Sequence, residues 1–102
     1  MTQTEKFDFI YRKLPIEELL AQMAEEAAEL AQAASKFRRV LDETNPTSCS
    51  YEKAVKNLSE EIADVQLCMN VLEWCWAEES DREAIGDIKM KKLDRWVKRL
   101  SE

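Results

Sequence analysis

The stretch SEEIADVQLCM, residues 59–69, places a carboxylate inside the apolar face of a long helix. Apolar residues recur here at intervals of three and four, the spacing of one face of an α-helix. They are Leu58, Ile62, Val65 and Met69. At about 100° per residue, Glu61 lies about 50° from the centre of this face and Asp64 about 110°, whereas Glu60 points to solvent at about 150°. A helix that buries this face therefore carries Glu61 into contact with a neighbour.

The preceding helical segment repeats the arrangement in AEEAAEL, residues 24–30. Glu26 lies about 60° from the centre of its apolar face and Glu29 about 120°, with Glu25 almost on the back. Between the two segments, DETNPTSCS, residues 42–50, is rich in residues that favour turns. The sequence therefore predicts two antiparallel helices whose four carboxylates converge at their seam.

The rest of the pattern predicts a single all-α domain spanning residues 1–102. The chain has one glycine and two prolines, and the alternation typical of strands is absent. The three predicted helices run from about Pro15 to about Leu41, from about Tyr51 to about Glu78, and from the capping-box pair Ser80 and Glu83 to about Leu100. The side chains expected to face inward are Ile16, Leu19, Leu20, Met23, Ala27, Leu30, Ala34, Phe37 and Leu41 on the first helix, Ala54, Leu58, Ile62, Val65, Met69, Leu72 and Trp76 on the second, and Ile85, Ile88, Leu93, Trp96, Val97 and Leu100 on the third.

We expect the second helix to be longer than the diameter of a compact domain of this size. About 28 residues give a length of roughly 42 Å, against a diameter of roughly 33 Å for a compact domain of this size. Its far end has a second apolar face, formed by Leu67, Val71, Trp74 and Cys75. We expect a second subunit to cover this face, in a homodimer or homotetramer. The alternative is that the N-terminal segment covers this face, through Phe7, Phe9, Ile10 and Tyr11.

Composition excludes several classes of function. The chain has 102 residues, of which 45% are hydrophobic and 35% charged, and a net charge of −6. This acidic balance argues against general nucleic-acid binding and against adhesion to anionic membranes. No run approaches the ~20 apolar residues of a membrane span, and the N-terminus has no apolar signal core. The three cysteines include no plausible disulfide pair, which is typical of a reducing cytoplasm.

Four converging carboxylates need positive charge. Either cationic side chains supply it or a metal ion does. Oxygen ligands with open positions suit Mg²⁺ or Mn²⁺. The absence of histidine excludes the Glu-x-x-His di-iron pattern and disfavours zinc. One pair alone is typical of a solvated helix face, but two pairs on consecutive helices favour a metal site.

The segments EEAAEL, residues 25–30, and EEIADV, residues 60–65, resemble the paired E-x-x-E and E-x-x-D signature of the MazG-like, all-α nucleoside triphosphate pyrophosphohydrolases. The resemblance covers about residues 14–100, and the connecting loop is somewhat longer than in compact members. It implies a four-helix-bundle-type fold completed by oligomerisation. It also implies an enzyme that hydrolyses a (d)NTP to the (d)NMP and pyrophosphate.

The resemblance assigns roles residue by residue. Glu26, Glu29, Glu61 and Asp64 fall on its metal-ligand positions, for Mg²⁺ or alternatively Mn²⁺. Glu25, the leading residue of its doublet, either supports these ligands or acts as a base through the attacking water.

Cations for the phosphates are expected from the third helix. Lys89 projects onto the centre of its apolar face, Lys92 flanks that face and Arg95 lies further round. We predict these three as phosphate contacts; the alternative is a salt bridge to the acidic helices. The tryptophans are more typical of packing than of base stacking, so the nucleobase is not identified.

Two other functions remain open from the sequence. One is a non-catalytic helical module whose acidic face binds a basic partner. The other is a phosphoribosyl-ATP pyrophosphohydrolase-like activity within the same superfamily.

Overall fold

A computed structural model describes residues 1–43 and 49–102, and these parts of the chain form four α-helices and no strands. The helices are α1 (Gln3–Lys13), α2 (Ile16–Asp42), α3 (Tyr51–Trp76) and α4 (Glu79–Ser101). The predicted all-α class is thus confirmed. The turn predicted over residues 42–50 lies mostly outside the described residues.

Local sequence signals set the ends of the central two helices. Pro15 precedes α2 in an extended conformation, and Glu43 ends it in the left-handed region at φ 55°. The Ser50 side chain accepts a hydrogen bond from the backbone N–H of Lys53 at 3.2 Å and so caps α3. Both helices begin and end within two residues of the predicted positions.

The N-terminal helix α1 packs against the far end of α3. The rings of Phe7 and Trp74 lie 5.8 Å apart, and Trp74 Nε1 donates a hydrogen bond to Asp8 Oδ1 at 3.1 Å. The N-terminal residues therefore cover part of Trp74, which stays 41% exposed. This contact is the predicted alternative to a subunit contact there. Leu67 and Trp76 on the same helix stay exposed.

Helices α2 and α3 form an antiparallel hairpin with a coiled-coil-like seam. The ring of Phe37 meets that of Tyr51 near the turn at 5.5 Å, while Glu29 meets Glu61 further from it. The seam side chains are buried or half-buried and alternate at spacings of three and four. They are Ile16, Leu19, Met23, Glu26, Leu30, Ala33, Phe37 and Val40 on α2, and Ala54, Leu58, Glu61, Val65, Cys68, Leu72 and Cys75 on α3. Glu26 and Glu61 thus lie in the seam itself, closer to its centre than the sequence predicted.

The hairpin has two different flanks. Each heptad has two seam residues, and one residue directly follows the second of them. Because the helices are antiparallel, these following residues lie on the same side of the hairpin in both helices. On that side lies an exposed apolar flank, formed by Leu20, Ala27, Ala34, Leu41, Ile62, Met69 and Trp76. The opposite, polar flank contains Gln22, Glu29, Lys36, Asn57 and Asp64. The prediction that the apolar-flank residues face inward is wrong for the single chain, since one partner helix covers only part of a wide apolar arc.

Helix α4 has no buried residue and no extended packing interface with another described helix. Apart from the half-buried Ile85, its predicted inward face is exposed, with Trp96 59% and Leu100 78% accessible, so that prediction is also wrong for most of this face in the single chain. The predicted cap is wrong too. Glu78 and Asp81 form the capping box instead, and the Glu78 N–H donates to Asp81 Oδ2 at 2.9 Å.

Because α4 does not pack along the hairpin, the chain is extended. Its radius of gyration is 17.3 Å, whereas about 13 Å is typical of a compact domain of this length. Its accessible surface of 8294 Å² exceeds by roughly 2,300 Å² the value expected for a folded monomer of its mass. Within the described ranges, no helix combines the length and apolar character needed to cross a membrane.

Candidate metal centre

Three carboxylates meet at the middle of the α2–α3 seam. Glu26, Glu29 and Glu61 each place one carboxylate oxygen within 4.8 Å of the others. Helix α2 supplies two of them because residues three apart share a face, and α3 brings the third across the seam. The predicted convergence is therefore confirmed for these three residues.

Two of the carboxylate oxygens are shielded from water and lack a hydrogen-bond partner among the described residues. They are Glu26 Oε2 and Glu61 Oε2. The other oxygen of Glu26 accepts a hydrogen bond from Gln22 Nε2 at 3.0 Å. Buried polar atoms are normally satisfied, and each exception requires an explanation such as an ion or water.

The electrostatic environment of Glu26 is unfavourable to its charge. Desolvation raises its pKa above the ordinary value of 4.5, and the negative charges of Glu29 and Asp64 raise it further. The hydrogen bond from Gln22 acts in the opposite direction. No lysine or arginine in the described parts of the chain forms an ion pair with the three clustered carboxylates. The cluster therefore concentrates negative charge, which a bound proton or a cation would relieve.

Asp64 lies beside the cluster and is exposed. It does not belong to the set of mutually close oxygens, but its charge acts on Glu26 and on the Cys68 thiol. Cys68 follows it by one helical turn in the seam, and burial, then the charges of Glu26 and Asp64, raise the pKa of this thiol. The sequence interpretation missed Cys68 at the site, although its seam position after Glu61 and Val65 indicates it.

The remaining predicted site residues do not belong to the cluster. Glu25 is exposed on α2. Lys89, Lys92 and Arg95 are exposed on α4, which does not pack along the hairpin in the described structure. A single chain therefore does not bring these three cations to the carboxylates.

A different set of polar side chains adjoins the carboxylates. Glu29 and Glu61 line an open groove of about 820 Å³ together with Lys36, Arg39 and Asn57. The sequence interpretation missed these three residues. The available signal was heptad spacing, because Lys36 follows Glu29 by seven residues and so repeats its position on the polar flank.

The donor set fits a hard divalent cation. All three clustered side chains are carboxylates from two helices, and the groove leaves one side open to solvent. Mg²⁺ and Mn²⁺ prefer oxygen donors and tolerate an incomplete protein shell. Among the described residues the close cluster includes no sulfur or nitrogen ligand, which zinc would favour.

Comparison of the chain with family models, with curated proteins and with solved structures found no match.

Proposed function

We propose that this protein is a divalent-cation-dependent nucleoside triphosphate pyrophosphohydrolase of the MazG-like class. It would convert a (d)NTP and water to the (d)NMP and pyrophosphate. The observation that carries the proposal is the cluster of Glu26, Glu29 and Glu61, in which two water-shielded oxygens lack a partner. The order and spacing of the two carboxylate motifs support it.

In this proposal each carboxylate has a defined role. Glu26 and Glu61 would hold a cation at the seam, and Glu29 would contribute from the groove side. Asp64 would be the fourth ligand, as the second carboxylate motif implies. A bound Mg²⁺ or Mn²⁺ would neutralise phosphate charge and favour ionisation of the attacking water.

The bond changes balance without a further reactant. Water oxygen bonds to the α-phosphorus, the bond from that phosphorus to the α–β bridging oxygen breaks, and pyrophosphate departs with the bridging oxygen. Glu25 is the residue proposed to accept the water proton, acting through an intervening water because its side chain points outward.

The test is pyrophosphate release from a panel of NTPs, dNTPs and phosphoribosyl-ATP, with Mg²⁺ or Mn²⁺. Glu61→Gln should abolish release, whereas Glu60→Gln, which changes the exposed neighbour, should leave most of it. Absence of release above the Glu61→Gln background across the whole panel would refute the enzymatic proposal.

We also propose that the functional unit is a homo-oligomer, at least a dimer. The exposed apolar flank would then pack against the same flank of a second copy and so complete a four-helix bundle. A typical stable interface buries about 1,600 Å² in total, and the surface excess of roughly 2,300 Å² in one chain is ample for this. Lys89, Lys92 and Arg95 of the second copy are candidates to reach the carboxylates of the first.

A non-catalytic interaction module is the second candidate function. The observation that favours it is α4, which is amphipathic but packs along no other described helix. This function predicts no specific divalent binding at Glu26 and Glu61. Calorimetric titration of Mn²⁺ into the protein and its Glu61→Gln variant distinguishes the two functions.

A further inference from the structure

The polar flank of the hairpin continues beyond the carboxylates into a track of cationic side chains. The groove beside Glu29 and Glu61 includes Lys36 and Arg39. A neighbouring depression of about 330 Å³ shares Lys36 and adds Lys53 and Lys56, together with one carboxylate, Glu60. Asn57 lines both depressions, so they form one continuous surface. Four cationic side chains thus lie at one end of the hairpin, although the net charge of the chain is −6.

These four cations are free to meet a ligand. None of the Lys36, Arg39, Lys53 and Lys56 side chains forms an ion pair or hydrogen bond with a described residue. Arg39 is half-buried and lines the groove. Clustered like charges in a concave surface create a local positive potential that attracts anions.

The second depression lies between the first turns of α3 and Lys36 of α2. Asn57 supplies a side-chain amide that can donate to an oxygen anion in either depression. The track therefore combines guanidinium, ammonium and amide donors, which is the donor set of a phosphate-binding surface.

We propose that Lys36 and Arg39, extended by Lys53 and Lys56, bind the terminal phosphates of a polyphosphate chain that starts at the carboxylate cluster. This inference rests on the proposed function for the direction of the chain. It assigns the main phosphate contacts to the two helices of the hairpin, α2 and α3, rather than to α4. Lys36 lies about 10 Å along α2 from Glu29, and its flexible side chain bridges the distance to a phosphate between them.

The test uses inorganic tripolyphosphate, which has the phosphate chain but no nucleoside. Its binding is measured by calorimetry at low salt, with and without Mg²⁺. We expect the double substitution Lys36→Met and Arg39→Met to weaken binding at least about tenfold. The matched control, Lys91→Met with Lys98→Met, removes the same charge from α4 and should weaken it by less than about threefold.

The carboxylates provide a second readout that general charge attraction does not predict. Without a divalent cation, Glu29→Gln should strengthen tripolyphosphate binding more than Glu25→Gln, because only Glu29 lines the groove. Chemical-shift changes on binding should centre on the Asn57 side-chain amide rather than on α4. Equal losses in the groove and control variants, shifts centred on α4, or no binding by the wild-type chain in either condition would overturn the inference.

The result of this binding test can be distinguished from the result of the test for pyrophosphate release. In one outcome the wild-type chain releases pyrophosphate and the Lys36→Met, Arg39→Met variant binds tripolyphosphate as tightly as wild type. This outcome would refute the phosphate-binding track but not the proposed enzymatic activity. Loss of binding in that variant, with no release from any nucleotide, would support the track as a polyphosphate site and refute the hydrolase.

Discussion

Glu26 of α2 and Glu61 of α3 meet across the hairpin seam, at positions that apolar side chains occupy in the neighbouring heptads. Each keeps its Oε2 away from water and without a partner in the described structure. A hairpin built for stability alone would place Leu or Ala at these positions. These two carboxylates therefore make the seam a candidate site, and the consequences can be measured.

The first prediction concerns the pH dependence of stability. The pKa of Glu26 is raised above 4.5 in the folded state. The native state therefore holds more protons than the unfolded state at pH values between 4.5 and this raised pKa. The free energy of unfolding therefore falls as pH rises through this window. Without divalent cations, Glu26→Gln should raise Tm at pH 7, and the difference from wild type should shrink as pH approaches 4.5.

The matched control is Glu25→Gln, an exposed neighbour on the same helix. Its Tm difference from wild type should be small and should vary little with pH. A Glu26→Gln protein that is less stable than wild type at pH 7 would contradict the proposed repulsion.

The second prediction uses Cys68 as a reporter of cation binding. The charges of Glu26 and Asp64 raise the pKa of its thiol, beyond the effect of burial. A cation bound at the carboxylates should offset these charges, lower the pKa and speed alkylation at neutral pH. For Cys75 burial alone raises the pKa, so its alkylation rate should not respond to Mg²⁺. Equal responses of the two thiols, measured by mass spectrometry, would count against a local cation.

The third prediction addresses the apolar flank. Ile62 and Met69 are 39% and 44% exposed, on the side away from the groove. Replacing both with Glu should convert an oligomer to monomers in sedimentation velocity, while Glu60→Lys should leave it assembled. A wild-type chain that sediments as a monomer at every concentration would refute the second-copy proposal.

The fourth prediction tests the close approach of α2 and α3. Ala33 is 2% exposed in the seam, so a larger side chain has no room there. Ala33→Leu should destabilise the fold by about 1–3 kcal/mol through overpacking. The control Ala28→Leu changes an exposed position of the same helix and should stay within about 0.5 kcal/mol. Urea denaturation followed by circular dichroism measures both, and equal stabilities would contradict the packing described.

The hairpin was predictable because its signals are local and periodic. Both helices follow a heptad pattern, and residues such as Pro15 and Ser50 fix their ends. The carboxylate cluster followed from spacing alone, since Glu26 and Glu61 break two matching stripes.

The α1 helix was missed although the sequence contained its signals. Thr2 caps the backbone N–H of Glu5 at 3.1 Å, and Phe7 and Ile10 recur at helical spacing. The contacts of Phe7 and Asp8 with Trp74 reveal its partner, and these contacts join residues far apart in the sequence.

The position of α4 could not be predicted for a different reason. Its apolar stripe, which includes Trp96 and Leu100, shows that one face favours burial, but periodicity does not say against which helix or which copy. The same limit applies to Lys36 and Arg39, whose role depends on a groove that exists only once the two helices have paired.

The central claim is that Glu26 and Glu61 together hold a divalent cation. Calorimetric titration of Mn²⁺ or Mg²⁺ into wild type, Glu61→Gln and Glu60→Gln tests it most directly. The account predicts specific binding in wild type, a loss of at least about tenfold in Glu61→Gln, and near-wild-type affinity in Glu60→Gln, because Glu60 is exposed and outside the cluster. Equal affinities in the two variants, or no divalent binding by the wild-type protein, would contradict it.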